Sequence, residues 1–154
     1  MMNGIWHFLH YLAFTAWLGG ALSVMVSGIA MKRMDRSLWG AVADAQAAIY
    51  RALIGPGAIV VIGSGIAMTM EMYNRLSSGQ AGPWLGTMQA AGIVGPLVTL
   101  LGSMPAAARL SRLEPLGTQA AAFDATRKRL AITGSIGGTL GLIALLAGAF
   151  YQHV

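Results

Sequence analysis

Apolar and polar positions fall into long blocks along this chain. The first apolar block, Ile5 to Met31, holds no charged residue before Lys32. At ~1.5 Å per residue it is long enough for the ~30 Å hydrocarbon core of a bilayer. Inside it His7, His10, Phe14, Trp17, Ala21, Val24 and Gly28 recur every three or four positions, so they share one helical face. That face opens with two imidazoles and continues with aromatic and small residues. An ionisable group in such a segment is costly and normally faces the interior of a bundle.

Three further spans follow. Leu38 to Ile54 is helical in pattern but carries Asp44, Gln46 and Arg51, which predicts an inner-surface lead-in over 38–54. Gly55-Pro56-Gly57 then predicts a kink at Pro56, because proline lacks the N–H and clashes with the preceding turn. Ala58 to Tyr73 completes the second crossing. Asn74 to Pro83 reads as a polar turn. Trp84 to Met104 is the third span, interrupted at Pro96 and stopped at Pro105, and Ala106 to Arg129 is a longer polar connection. Leu130 to Tyr151 is the fourth. The expected fold is an all-α integral membrane protein, one domain over 1–154. It is a four-transmembrane-helix bundle with spans at about 5–31, 52–73, 84–104 and 130–151. Ser37 is the expected cap of the second helix.

Composition agrees with this class. With 56% hydrophobic and 10% charged residues, the chain is neither disordered nor an ordinary soluble domain. The net charge of +5 does not point to nucleic acid, because the basic residues sit between apolar runs. Nine of the ten fall on one side: Lys32, Arg33, Arg36, Arg51, Arg109, Arg112, Arg127, Lys128 and Arg129, with Arg75 alone on the other. The positive-inside rule makes that side cytoplasmic and both termini external. The expected location is therefore the bacterial inner membrane. Trp6, Tyr73, Trp84 and Tyr151 fall at the outer ends, as in an interfacial aromatic belt. The N-terminus lacks the basic region of a cleaved signal peptide. Cysteine is absent, which removes disulfides and thiolate metal sites.

This orientation gathers the candidate chemistry at the outer side. His7, His10 and His153 are the three histidines. Glu71, Met68 and Met72 lie at the outer end of the second span, and Met88 is one turn into the third. Imidazole and thioether both ligate haem iron and copper. The histidine spacing matches no zinc motif. Plainer roles compete: histidines at the headgroups, methionines as filler, and Arg51 snorkelling to the inner headgroups. The Gly134–Gly148 stripe has small-xxx-small spacing, which suits close helix packing within the bundle or against a homo-oligomeric or larger membrane partner.

Leu9-His10-Tyr11-Leu12-Ala13-Phe14-Thr15-Ala16-Trp17-Leu18-Gly19-Gly20 resembles the first helix of the copper-resistance D (CopD) and HemJ-type families. Those families share a histidine followed seven residues later by tryptophan and then small residues. Ile49-Tyr50-Arg51-Ala52-Leu53-Ile54-Gly55-Pro56, with Gly65 beyond, is similar to their second helix, and Trp84-Leu85 resembles the start of their third. The resemblance implies a haem b protein of the protoporphyrinogen-oxidising, oxidoreductase kind. His10 would be the axial ligand, Trp17 part of the cofactor face and Arg51 an inner-leaflet partner. Where the family carries a lysine in the third helix, this chain has Met88, a candidate second ligand. The CopD side of the resemblance implies instead copper held by His7, His10, His153, Met68 and Met72. A structural bundle docked in a larger complex is the third expectation.

Overall fold

Long apolar runs with few helix breakers dictate an all-helical chain, and the computed structural model has no strand among the described residues. It describes residues 2–73 and 83–151, leaving out the side chains at 2, 3, 72, 73 and 151. The helices are α1 (Met2–Met31), α2 (Trp39–Ile49), α3 (Gly55–Tyr73), α4 (Pro83–Val98), α5 (Met104–Leu110) and α6 (Ala120–Tyr151). Two five-residue π-turns, Tyr50–Ile54 and Thr99–Ser103, join α2 to α3 and α4 to α5 without a break. The result is four rods. Each is long and apolar enough to cross a membrane: Gly4–Met31, Arg36–Glu71, Pro83–Leu110 and Gly117–Phe150.

Three expected boundaries change. At Pro56 the second rod carries no interruption of its helical backbone, so the lead-in 38–54 and the crossing 52–73 are one element. The adjustment lies one turn earlier, where the Gly55 N–H reaches the Tyr50 carbonyl across the wider π-turn. This loosens the helix where Pro56 has no N–H to give. The third rod likewise passes Pro105 and ends at Leu110, with Pro105 just past the second π-turn, which loosens the helix where proline has no N–H to give. In the fourth rod α6 begins at Ala120, ten residues before Leu130. Its first turns are the polar, charged end of a helix and not a loop. The cap ahead of the second rod is also displaced: Asp35, not Ser37, receives the Ser37 amide at 2.8 Å and the Ser37 hydroxyl at 2.6 Å.

The rods pack as two close pairs, α1 with α3 and α4 with α6. Small residues allow this. A Cβ on Gly57 would lie 2.8 Å from the Ala13 carbonyl and 2.9 Å from the Trp17 nitrogen, so only glycine lets the second rod come this near the first. The glycine stripe of α6 is used inside the bundle: Gly137 faces Thr99, Gly141 faces Trp17 and Gly148 faces Met88.

The connections 32–35 and 111–119 lie at one end of the bundle, here the loop end; Met2, Tyr73, Pro83 and Tyr151 mark the terminal end. The loop end is closed and polar at its rim. Arg36 donates from Nε to the Pro115 carbonyl at 2.7 Å and from Nη2 to Asp124 at 2.8 Å. The guanidinium carbons of Arg36 and Arg127 each stand 4.9 Å from the centroid of the Trp39 ring. Behind this rim Ala43, Tyr50, Ile54, Ala107, Leu110, Phe123 and Leu130 form the buried core. Gln46 is buried there too, yet satisfied. Its amide donates to the Val24 carbonyl at 3.2 Å and to Ser27 at 3.0 Å, pinning α2 to α1.

Candidate functional site

Trp17 divides the bundle. It is 1% exposed, its indole N–H donates to Thr99 Oγ1 at 3.2 Å, and its ring lies against Gly95 and Gly141. One indole thus spans from the first rod to the third and fourth. Thr99 passes its own proton to the Gly95 carbonyl at 3.0 Å, as a threonine inside a helix commonly does. Phe14 stands edge-on to Trp17 with ring centroids 5.6 Å apart, and His10 follows 6.4 Å from Phe14. Three aromatic side chains therefore climb the inner face of α1 toward the terminal end, as their spacing predicts.

His10 is half-buried and bonded across to the second rod. Its Nδ1 lies 2.9 Å from Ser64 Oγ. A Cβ on Gly65 would meet His10 Cε1 at 3.5 Å, an ordinary contact. Further toward the terminal end, Gln89 donates to Thr69 Oγ1 at 3.1 Å and ties the third rod to the second. Met88 is half-buried on the stripe Met88, Gly92, Gly95, Thr99, with its sulfur 3.2 Å from where a Cβ on Gly148 would lie. Gly92 differs from its neighbours on that stripe. Nothing lies within 4 Å of a Cβ placed there.

The candidate residues therefore divide. His10, Trp17 and Met88 lie on inward stripes of the bundle, and Met68 is half-buried on the second rod. His7 does not share the inward face expected of it. It is exposed, with its ring tilted 51° and 6.5 Å from Tyr11. Arg51 is exposed on the first π-turn. Thirteen residues separate it from Ser64, about 20 Å along the rod, so it is far from His10. His153 and the Met72 side chain lie outside the described residues. Among the described residues, no three His, Cys, Asp or Glu side chains come close enough to hold a metal ion.

Among the described residues are two apolar grooves that include no donor of this site. One of about 320 Å³ is lined by Val26, Ile29, Ala30 and Arg33 near the loop end. The other, about 200 Å³, lies between the first two rods beside Ala13, Pro56 and Val60.

Sequence reasoning missed Ser64, Thr69 and Thr99. Each is a small or neutral polar residue in an apolar run, where it reads as a residue bonded to its own helix. The available signal was position: Ser64 and Thr99 fall on the inward stripes of their rods. A scan against protein-family models gave no match for this chain, and neither a search of curated proteins nor one of solved structures gave any.

Proposed function

We propose that this chain is a multi-pass protein of the bacterial inner membrane that holds haem b through His10 and serves a redox role, in line with its HemJ-type resemblance. The observation that carries the reading is His10 itself: a half-buried imidazole on an inward stripe, held from one nitrogen, in an otherwise apolar rod. The donor set suits iron porphyrin, since imidazole and thioether are both axial haem ligands. The open position at Gly92, beside Met88 on the third rod, gives the space that a bulky residue would deny.

His10 would supply the iron ligand, and Met88 is the candidate for the second. Haem held there supplies one-electron exchange. Phe14 and Trp17 beneath His10 keep water from the deeper bundle. The low dielectric around the site would set the redox potential.

The experiment is an absorbance spectrum and metal analysis of the purified full-length protein. A Soret band that His10→Ala abolishes, and that Met88→Leu alters in the reduced form while haem stays bound, is the expected result. Copper in place of haem, lost in the His7/His10 double variant, would install the CopD-like reading. Neither haem nor copper would leave a structural bundle subunit.

Orientation is part of the same proposal. Lys32, Arg33, Arg36, Arg109, Arg112, Arg127, Lys128 and Arg129 all belong to the loop end, which the positive-inside rule assigns to the cytoplasm. His10 then opens to the outer leaflet. A cysteine introduced by Ser78→Cys should react with an impermeant thiol reagent on intact cells, and one introduced by Ser111→Cys should not. The reverse pattern would invert the topology.

A further inference from the structure

We infer that Ser64 is a positioning residue that fixes the tautomer of His10, keeping the proton on Nδ1 and leaving the Nε2 lone pair to bind a metal. The use of that lone pair rests on the haem reading above; the tautomer does not. The argument is a count of protons. A serine hydroxyl has one to give. Ser64 Oγ lies 2.5 Å from the Val60 carbonyl, four residues back on its own helix, and 3.3 Å from the Val61 carbonyl. A carbonyl only accepts, and two oxygens that close repel unless a proton lies between them. The Ser64 proton is therefore committed to the helix backbone.

What remains on Ser64 toward His10 is a lone pair. Nδ1 stands 2.9 Å away, and two lone pairs at that distance would repel. Nδ1 must carry the hydrogen and donate it. In a neutral imidazole the other nitrogen is then unprotonated, the form that can ligate iron. Ser64 is 2% exposed, so water cannot readily take over its place. The Gly57 contact holds the two rods close and so sets the separation at which this bond forms. This is the arrangement by which a histidine ligand is commonly oriented: its second nitrogen is tied to a group that fixes both ring angle and protonation.

The test separates the tautomer from the haem. Full-length protein in detergent, prepared without haem and with ¹⁵N in its histidine rings, is measured at a pH where the imidazoles are neutral. The His10 signals are assigned by their loss in His10→Asn. The expected result is a protonated Nδ1 and an unprotonated Nε2 in the wild type, reversed in Ser64→Ala and retained in Ser64→Thr, which keeps the hydroxyl. A protonated Nε2 in the wild type, or a Ser64→Ala spectrum identical to it, would overturn the proposal whether or not haem binds. The second arm is haem retention. If His10 ligates iron, Ser64→Ala should weaken haem binding by about 10–100-fold, and Ser64→Thr should restore most of it. A wild type with the expected tautomer but no affinity for haem would sustain the role of Ser64 and sink the haem reading instead.

Discussion

The two halves of this bundle, divided at Trp17, treat their inward positions differently. Toward the loop end Ala43, Ala47, Tyr50, Ser103, Ala107, Leu110 and Phe123 are closed off. The polar groups among them are matched inside the chain, as with Gln46 to Val24 and Ser27, and Ser103 to Thr133 at 3.0 Å. Toward the terminal end the pairs α1–α3 and α4–α6 remain tight and bury Ser64, Leu85, Ala91, Ala144 and Ala147, but His10, Phe14, Met68, Met88, Gln89 and Gly92 between them are only half-buried. A buried polar group left unmatched costs about 1–3 kcal/mol; the closed half matches those of its interior and leaves Asp124 Oδ1 and Arg127 Nε at its rim without a hydrogen-bond partner. A half that keeps inward positions accessible can hold polar groups for something else. The loop half fixes the fold, and the terminal half is where chemistry can be placed.

The strongest challenge to this division is Phe123→Ala. Phe123 is fully buried against Trp39, with ring centroids 6.3 Å apart. Its truncation should cost about 3–5 kcal/mol and lower the melting temperature in detergent by roughly 10 °C. A change within the error of the melt would mean that the loop half is not the stable one. Gly92→Ala probes the other half and should do almost nothing, or raise stability by about 0.5–1 kcal/mol through the better helix propensity of alanine. A loss approaching that of Phe123→Ala would show that the terminal half is closed at Gly92, and the division would fall.

Much of this was legible in the chain. Four long apolar rods and the inward face of Phe14, Trp17 and Val24 follow from uninterrupted apolar runs and their three-and-four spacing. The ends of the rods were less readable. Arg127, Lys128 and Arg129 look like a loop when charge alone is read, but a helix that protrudes beyond its apolar stretch carries the same charges on solvated turns. Pro105 looks like a stop, yet just past a π-turn it is a permitted residue. The site was half visible. His10 stands out because histidine is rare in such a segment, whereas Ser64 does not, because its role depends on a neighbouring rod that no local spacing encodes.

The π-turns carry a consequence for rotation about the helix axis. An α-helix advances about 100° per residue. A π-turn takes one residue more to close its turn, so the helix beyond it is set back by about the angle of one residue. Ser64 lies ten residues past the turn that ends at Ile54, about 15 Å along the rod. Without that set-back the bearing toward α1 at this height would belong to Gly63, which has no hydroxyl. The partner of His10 is thus selected by an offset introduced in the opposite half of the molecule, before the chain has risen to meet the histidine.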